Sequence, residues 1–228
     1  MATFYGIGIG PGDSELVTVK AKNILNKLDI LYTPEAKRGA KSVALTIASP
    51  YVSDHLEIKQ RHFPMVRSLE KKEPQWEQIA TEVVEDVKGG KNVGFITLGD
   101  PMVYSTYSYL LRLIGDSIDT QTIPGITSFG SMASVLDEES FAVVPATAEA
   151  DKIDQALAIH DTVVIMKVAR HLDVVLPLLE KHNLIEKTFL VSHASTDKQK
   201  ILYGVSELTV NDKLDYFTTL LVKKHPLG

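Results

Sequence analysis

The stretch FYGIGIGPGDSEL, residues 4–16, carries glycine at positions 6, 8, 10 and 12, with Ile7, Ile9 and Pro11 between them. Such alternation reads as a buried strand over residues 3–10, bare enough on one side for another group or chain to approach its backbone. Two glycine fingerprints fail here. A dinucleotide loop needs G-x-G-x-x-G, and its third glycine position falls on Pro11 counted from Gly6, or on Asp13 counted from Gly8. A Walker-type phosphate loop needs Gly-Lys-Ser/Thr, which does not follow. What remains is a bare strand and a stiff Pro11-Gly12 turn into a helix. Taken alone, a tight strand-to-helix turn would explain it equally well.

Other stretches repeat the arrangement. GDPMVYSTYSYL (99–110) follows the apolar strand NVGFITL (92–98), and PGITSFGSMAS (124–134) follows residues 120–123. VVIMK (163–167) ends a further strand with a methionine and a lysine. The carboxyl ends of strands are where open α/β sheets bind ligands. These loops offer backbone groups and small hydroxyls rather than clustered cations. That lining suits a compact, zwitterionic, adenosine-containing cofactor better than a triphosphate.

Between these loops the chain alternates strand and helix. Helices are predicted over residues 16–28 (capped by Asp13 or Ser14), 74–88, 105–114, 127–136, 152–158 and 172–182. Strands are predicted over 30–32, 58–63, 92–98, 120–123, 141–145, 162–166 and 188–193, with 201–203 and 216–222 closing the pattern. Residues 41–47 read as helical or extended. The alternation implies α/β architecture with mainly parallel sheets. A break near residues 115–120 divides the chain into two α/β lobes, 1–116 and 117–228.

Bulk composition narrows the function classes. Of 228 residues, 44% are hydrophobic and 23% charged, as in an ordinary globular protein, and cysteine is absent, which excludes disulfides, thiolate metal sites and a cysteine nucleophile. The seven histidines lack ligand spacing, so no protein-bound metal is expected. The net charge of −5 argues against nucleic-acid binding. No signal-like segment opens the chain and no apolar run spans a membrane, so a cytoplasmic protein is expected. The charge is segregated, however: residues 35–72 carry a net +4 and the remainder −9. This segment is either a solvated charged face or a cleft for a polyanionic small molecule.

In order, GIGIGPGDSELVTVKA, LGDPMVYSTY, IPGITSFGSMA and DTVVIMK resemble the tetrapyrrole methylase family. YTPEAKRGAKSVALTIASPY, HFPM (62–65), GDPMVYSTYSYL and FAVVPAT (141–147) are most similar to its branch that methylates carbon-20 of precorrin-2 or its cobalt-containing counterpart. The resemblance implies two α/β lobes with S-adenosylmethionine between them, S-adenosylhomocysteine as product, and a homodimer. It carries cofactor contacts onto Pro11, Gly99, Asp100, Val103, Thr106, Thr127, Ser128, Met166 and Ala194. The bare strand would then make room at a lobe interface. A tetrapyrrole at this stage bears eight carboxylates, which gives the basic segment a purpose, with Lys37, Arg38, Lys41 and Arg67 as candidate clamps.

Methyl transfer from a sulfonium needs no protein nucleophile, and a base would only assist loss of the macrocycle proton. Asp100, Tyr104, Glu57 and His62 are candidates, and the sequence does not choose among them. Asp100 also suits a loop-shaping turn between Gly99 and Pro101. Tyr104, Tyr107 and Tyr109 could wall a macrocycle or belong to the core. The competing readings are a sister methylase acting at another ring position or on uroporphyrinogen III, a non-catalytic tetrapyrrole-binding protein, and a nicotinamide oxidoreductase, already weakened by the broken glycine register.

Overall fold

A computed structural model describes residues 1–35, 42–63 and 73–225. The chain forms two compact units, Met1–Ser128 and Phe129–Gly228.

The first unit is built on five parallel strands: β1 (Phe4–Gly8), β2 (Ile30–Glu35), β3 (Glu57–His62), β4 (Val93–Thr97) and β5 (Thr120–Ile123), in the order β3-β2-β4-β1-β5. Two helix pairs cover its faces. α1 (Val19–Leu25) and α2 (Val43–Ala48) pack Ala21, Leu25, Ala44, Ile47 and Ala48 against Ile7, Ile9, Leu31 and Ile96. α3 (Glu73–Lys88) and α4 (Tyr107–Ile114) pack Trp76, Ile79, Val83, Tyr107 and Leu110 against Phe4, Tyr32 and Phe95 on the other face. The central strands β1, β2 and β4 are thus largely buried, as a covered parallel sheet requires, while the edge strands β3 (EIKQRH) and β5 (TQTI) are polar and partly exposed.

The glycine strand owes its composition to this sheet. A Cβ on Gly6 would lie 2.1 Å from the Tyr107 ring, which is fully buried and hydrogen-bonded through its hydroxyl to Thr122 Oγ1 at 3.0 Å. The bare side of β1 is therefore filled from within the first unit, by a ring at Gly6 and by backbone at Gly8, which corrects the expectation of an interface-forming strand. The two stretches also start differently from the sequence reading. Asp13 accepts from Glu15 N–H at 2.8 Å and caps a short 3-10 turn at Ser14–Leu16, while α1 begins only after Thr18, whose Oγ1 accepts from Ala21 N–H. Gly89 and Gly90 end α3 as expected, Gly90 with φ +87°.

The expected division at 116/117 falls before β5, whereas β5 pairs with β1 and the units part after Ser128. The helix expected over 127–136 is a single 3-10 turn, Phe129–Ser131. Gly130, Ser131 and Ser134 are poor helix formers there, and α-helix returns only at Ala150–Ile159.

The second unit contains β6 (Phe141–Pro145), α5 (Ala150–Ile159), β7 (Thr162–Met166), α6 (Leu172–Lys181), β8 (Thr188–Ser192), β9 (Lys200–Tyr203) and β10 (Thr218–Lys223). Its strand order is β6-β7-β10-β8-β9. Only β6 and β7 are parallel neighbours; β10 is antiparallel to both β7 and β8, and β9 is antiparallel to β8. The expectation of mainly parallel pairing thus holds for the first sheet and fails for the second. β10 lies between two strands of common direction and runs against both. α5 and α6 cover one face with Ile153, Leu157, Val175, Leu176 and Leu179.

A buried ion pair ties the start of this unit to its central strands. Lys223 Nζ donates to Glu139 Oε2 at 2.6 Å and to the Ser134 carbonyl at 2.8 Å, with only 5% and 10% of the two side chains exposed. Lys223, joined by the Leu136 N–H, holds the Glu139 carboxyl below the usual carboxylate range. Beside it, the Ser140 hydroxyl and N–H donate to Asp161 Oδ2 and bring that carboxyl down to about 2.

Two outcomes follow from this packing. Gly6→Ala should destabilise the fold by about 1–3 kcal/mol through overpacking against Tyr107. In a urea double-mutant cycle with Tyr107→Leu the two losses should be less than additive, because the colliding partner is gone. The lowered carboxyls of Glu139 and Asp161 contribute stability that is fully present above the unfolded carboxylate value near pH 4 and disappears as pH falls towards about 2 for Asp161. Asp161→Asn should therefore flatten the fall in urea midpoint between pH 6 and pH 3.

Candidate functional site

In the first sheet the chain leaves β1 towards β2 on one side and leaves β4 towards β5 on the other. The adjacent carboxyl ends of β1 and β4 therefore form the topological switch point, the place where such sheets open a crevice for a ligand. Gly10-Pro11 follows one of these ends and Gly99-Asp100 the other. The two loops are joined there, Gly99 N–H donating to the Gly10 carbonyl at 2.8 Å, with φ +79° at Gly10 and +67° at Gly99.

The loop after β5 joins them by direct backbone approach. A Cβ on Gly125 would lie 2.1 Å from the Gly99 carbonyl oxygen and 2.8 Å from Gly8 Cα; one on Gly8 would lie 2.6 Å from both Gly125 N and Gly99 O. No side chain fits at Gly8 or Gly125, since the obstructing atoms are backbone, and Gly99 needs glycine for its left-handed φ rather than for space. Asp100 completes the junction. Its Oδ2 accepts from Gly125 N–H at 3.0 Å and its Oδ1 from Met102 N–H at 2.8 Å, so one carboxylate fixes both its own turn and the next loop. Val103 N–H closes that turn on the Asp100 carbonyl, and the Ser105 hydroxyl, which donates to Thr97 Oγ1 and accepts from Tyr107 N–H, leads into α4.

Pro11, Gly99, Asp100, Val103, Thr106, Thr127 and Ser128 all lie in these three loops at one edge of the first sheet. Thr127 Cα is 3.8 Å from the position a Gly99 Cβ would take. Met166 and Ala194 belong to the second unit, where β7 and β8 run in the same direction and end at one edge, with the start of β10 between them. Met166 is half-buried and its carbonyl accepts from Ala146 N–H at 2.7 Å; Ala194 is buried. The turn around Ala194 is firmly held. His193 N–H donates to the Phe217 carbonyl, His193 Nε2 lies 3.3 Å from Asp215 Oδ1, and Ser195 N–H donates to Gln199 Oε1 at 2.7 Å.

The base candidates separate. Both carboxylate oxygens of Asp100 are engaged by backbone N–H groups. Glu57 stands at the amino end of β3, on the opposite edge of the sheet, 62% exposed and 3.9 Å from Lys59. His62 and Tyr104 remain at the carboxyl edge. Of the three tyrosines, Tyr107 is core, Tyr109 stacks at 4.5 Å on Trp76, and Tyr104 stands exposed on the loop. Lys37, Arg38, Lys41 and Arg67 lie outside the described residues. Two other basic residues of the same segment are committed internally: Lys59 to Asp86 at 2.7 Å and Arg61 to Glu82 at 2.8 Å, both also against the Tyr32 ring. Burial and the Asp86 carboxylate push the Tyr32 phenol up, keeping it a donor to Asp86.

A signal that sequence reading missed is backbone strain. Left-handed non-glycine residues among the described ones are Tyr104, Lys167, Asn183, His193 and Ser195. Asn183 follows a helix end, where asparagine is at home. The other four lie in the loops that follow β4, β7 and β8, next to Val103, Met166 and Ala194 in sequence, each at an energetic cost of roughly 1–3 kcal/mol.

The sequence model of the Tetrapyrrole (Corrin/Porphyrin) Methylases matches residues 3–208. The chain belongs to this family. Among the family's curated members it is 37% identical to the cobalt-precorrin-2 C(20)-methyltransferase of Salmonella typhimurium, over 96% of this chain and 95% of that one. It is 30% identical to the probable cobalt-precorrin-2 C(20)-methyltransferase of Methanocaldococcus jannaschii, again over 96% and 95%. Its fold matches that of the uroporphyrin-III C-methyl transferase of Thermus thermophilus complexed with S-adenosyl homocysteine, with a TM-score of 0.71 at 18% identity, covering 98% of each chain. A surface depression lined by Glu180, Asn183, Ile185 and Glu186 lies at the amino end of β8, away from these loops, and its acidic lining does not suit a polycarboxylate.

The loop junction makes its own demand. Gly125→Ala should lower stability by about 1–3 kcal/mol or more, because neither neighbour can retreat without moving a strand. Asp100→Asn keeps the shape but turns a donor towards one of the two N–H groups, a loss of about 1–3 kcal/mol. Thermal unfolding of both variants checks this; a wild-type Tm for Gly125→Ala would contradict the packing described.

Proposed function

We infer that the protein is an S-adenosylmethionine-dependent methyltransferase that methylates carbon-20 of a precorrin-2 macrocycle in corrin biosynthesis. The observation that carries this is the 37% identity, from end to end, to an enzyme named for that position. Both relatives described above are named for the cobalt-loaded substrate, which favours cobalt-precorrin-2 over the metal-free form for this chain.

The loops fit such a donor. The three-glycine junction brings backbone close to whatever lies at the switch point, and Thr106, Thr127 and Ser128 add hydroxyls without cationic charge. Nothing among the described loop residues is built to clamp a triphosphate. We propose that Pro11, Gly99, Asp100, Val103, Thr106, Thr127 and Ser128 hold the donor from the first unit, and that Met166 and Ala194 hold it from the second. Asp100 does this through the loops that it fixes rather than as a base.

The donor supplies a methyl group already activated on a positively charged sulfur, which an in-line attack by the ring carbon releases as neutral S-adenosylhomocysteine. The protein's task is then alignment. Holding two reactants in near-attack geometry contributes up to roughly 7–11 kcal/mol, and turns held at the ends of the buried central strands β1 and β4 are suited to it. His62 and Tyr104 are the candidates left to receive the macrocycle proton. Lys37, Arg38, Lys41 and Arg67 are proposed to bind the substrate carboxylates, and a homodimer in the cytoplasm is proposed as the working state. The exposed edge strand β9, with Ile201, Leu202 and Tyr203 at the surface, favours association.

Incubation with a methyl-labelled donor and either cobalt-loaded or metal-free precorrin-2, followed by product NMR, should place the label on carbon-20, with faster turnover of the cobalt form. Label at another ring position would overturn the assignment.

A further inference from the structure

His193 follows β8 and precedes Ala194, and its backbone is bonded on both sides. Its N–H donates to the Phe217 carbonyl at 3.0 Å, and its carbonyl accepts from the Thr196 N–H at 3.2 Å and the Thr196 hydroxyl at 2.9 Å. Any residue but proline makes these main-chain bonds. They accompany a left-handed backbone, φ +50°, and Ser195 is left-handed too, φ +62°, so Ala194 sits between two strained neighbours. Asparagine or glycine would accept that backbone at less cost. Nor does the imidazole fill the core, since 29% of the side chain is exposed.

What the ring does is reach the next loop. Its Nε2 stands 3.3 Å from Asp215 Oδ1, an ion pair when the ring is protonated, and its centre lies 5.4 Å from that of the Phe217 ring. Asp215 shapes the entry to β10. Its Oδ1 accepts from Phe217 N–H at 2.8 Å, and its carbonyl accepts from Thr218 N–H at 3.1 Å. The Ser192 and Thr218 hydroxyls, 2.9 Å apart, close the same junction one residue back. One imidazole and one carboxylate thus tie the turn after β8 to the turn before β10, and Ala194 rides on the first of them.

Resting on the proposed function, in which Ala194 holds the donor, we propose that His193 is a positioning residue for S-adenosylmethionine: through Asp215 and Phe217, its imidazole fixes the turn that presents Ala194. It touches neither the methyl group nor the macrocycle. An interaction of this kind is present equally before and during methyl transfer, so its loss raises the donor KM and leaves kcat alone.

The test uses the full chain with His193→Asn, His193→Gln, Asp215→Asn, the double variant His193→Asn/Asp215→Asn, and Ala194→Val. His193→Asn suits the left-handed backbone but is too short to reach Asp215, whereas His193→Gln carries an amide nitrogen about as far out as Nε2. Asp215→Asn keeps an oxygen for Phe217 N–H and removes the charge. S-Adenosylhomocysteine affinity is read by calorimetry, cobalt-precorrin-2 affinity from its absorbance, and stability from Tm, beside donor KM and kcat. His193→Asn and Asp215→Asn should each weaken S-adenosylhomocysteine about fivefold, the scale of a partly exposed pair, and raise donor KM to match. Tetrapyrrole affinity, Tm and kcat at saturating donor should stay near wild type. His193→Gln should restore affinity to within about twofold, and the double variant should be no worse than either single one.

Wild-type donor affinity in His193→Asn overturns the proposal, as do additive losses in the double variant. A fall in kcat or Tm without a rise in donor KM also overturns it, since a merely structural role would give that result. Ala194→Val, or Ala194→Ser should the larger group lower Tm, tests the reading underneath. Wild-type donor affinity there overturns the placement of the donor at this turn, and the His193 proposal with it. Weakened affinity there beside wild-type affinity in His193→Asn overturns the His193 proposal alone.

Discussion

Backbone meets backbone where Gly8, Gly99 and Gly125 converge, and the first unit is organised around that approach. At distances where an added Cβ would lie 2.1–2.8 Å from main-chain atoms, three successive segments of the sheet edge behave as one piece. Asp100 then ties two of them with a single carboxylate. A site made this way is rigid because there is nothing in it to rotate. Two of its N–H groups, those of Gly99 and Gly125, are paired within the junction itself.

That economy suits the chemistry. When the group to be transferred arrives activated, a protein gains little from a nucleophile and much from fixed distances. The same logic accounts for the distribution of strain. Left-handed residues after β4, β7 and β8 recur beside the residues assigned to the donor, in both units, although the two sheets differ in strand direction and order.

Much of this was legible in the sequence. The strands at 120–123, 141–145 and 162–166 fall where the sequence predicts them, because each is a short run rich in β-branched residues, and the last is buried almost throughout. The three loops were legible from the glycine, proline and aspartate that open them. What the sequence hid was tertiary. Nothing local says that Gly6 exists for Tyr107, a hundred residues away. Nothing in TTLLVK, residues 218–223, declares whether it runs with or against its neighbours. The apolar residues of 127–136 mimic a helix, although Gly130 and the serines weaken it, and Asp13 is as good a cap by type as Thr18. Strain at Tyr104, Lys167, His193 and Ser195 leaves no mark in composition at all, since these residue types give no hint of a left-handed backbone.

The position of β10 has a consequence for biogenesis. It is the last strand described, yet it lies inside its sheet, hydrogen-bonded to β7 on one side and β8 on the other. Until residues 218–223 emerge from the ribosome, both of those strands present open edges, and the Lys223 partner of Glu139 does not yet exist. The first unit, whose strands are all complete by residue 123, faces no such wait. The nascent chain therefore matures in two instalments, with the second half vulnerable to mispairing until its final insertion locks it.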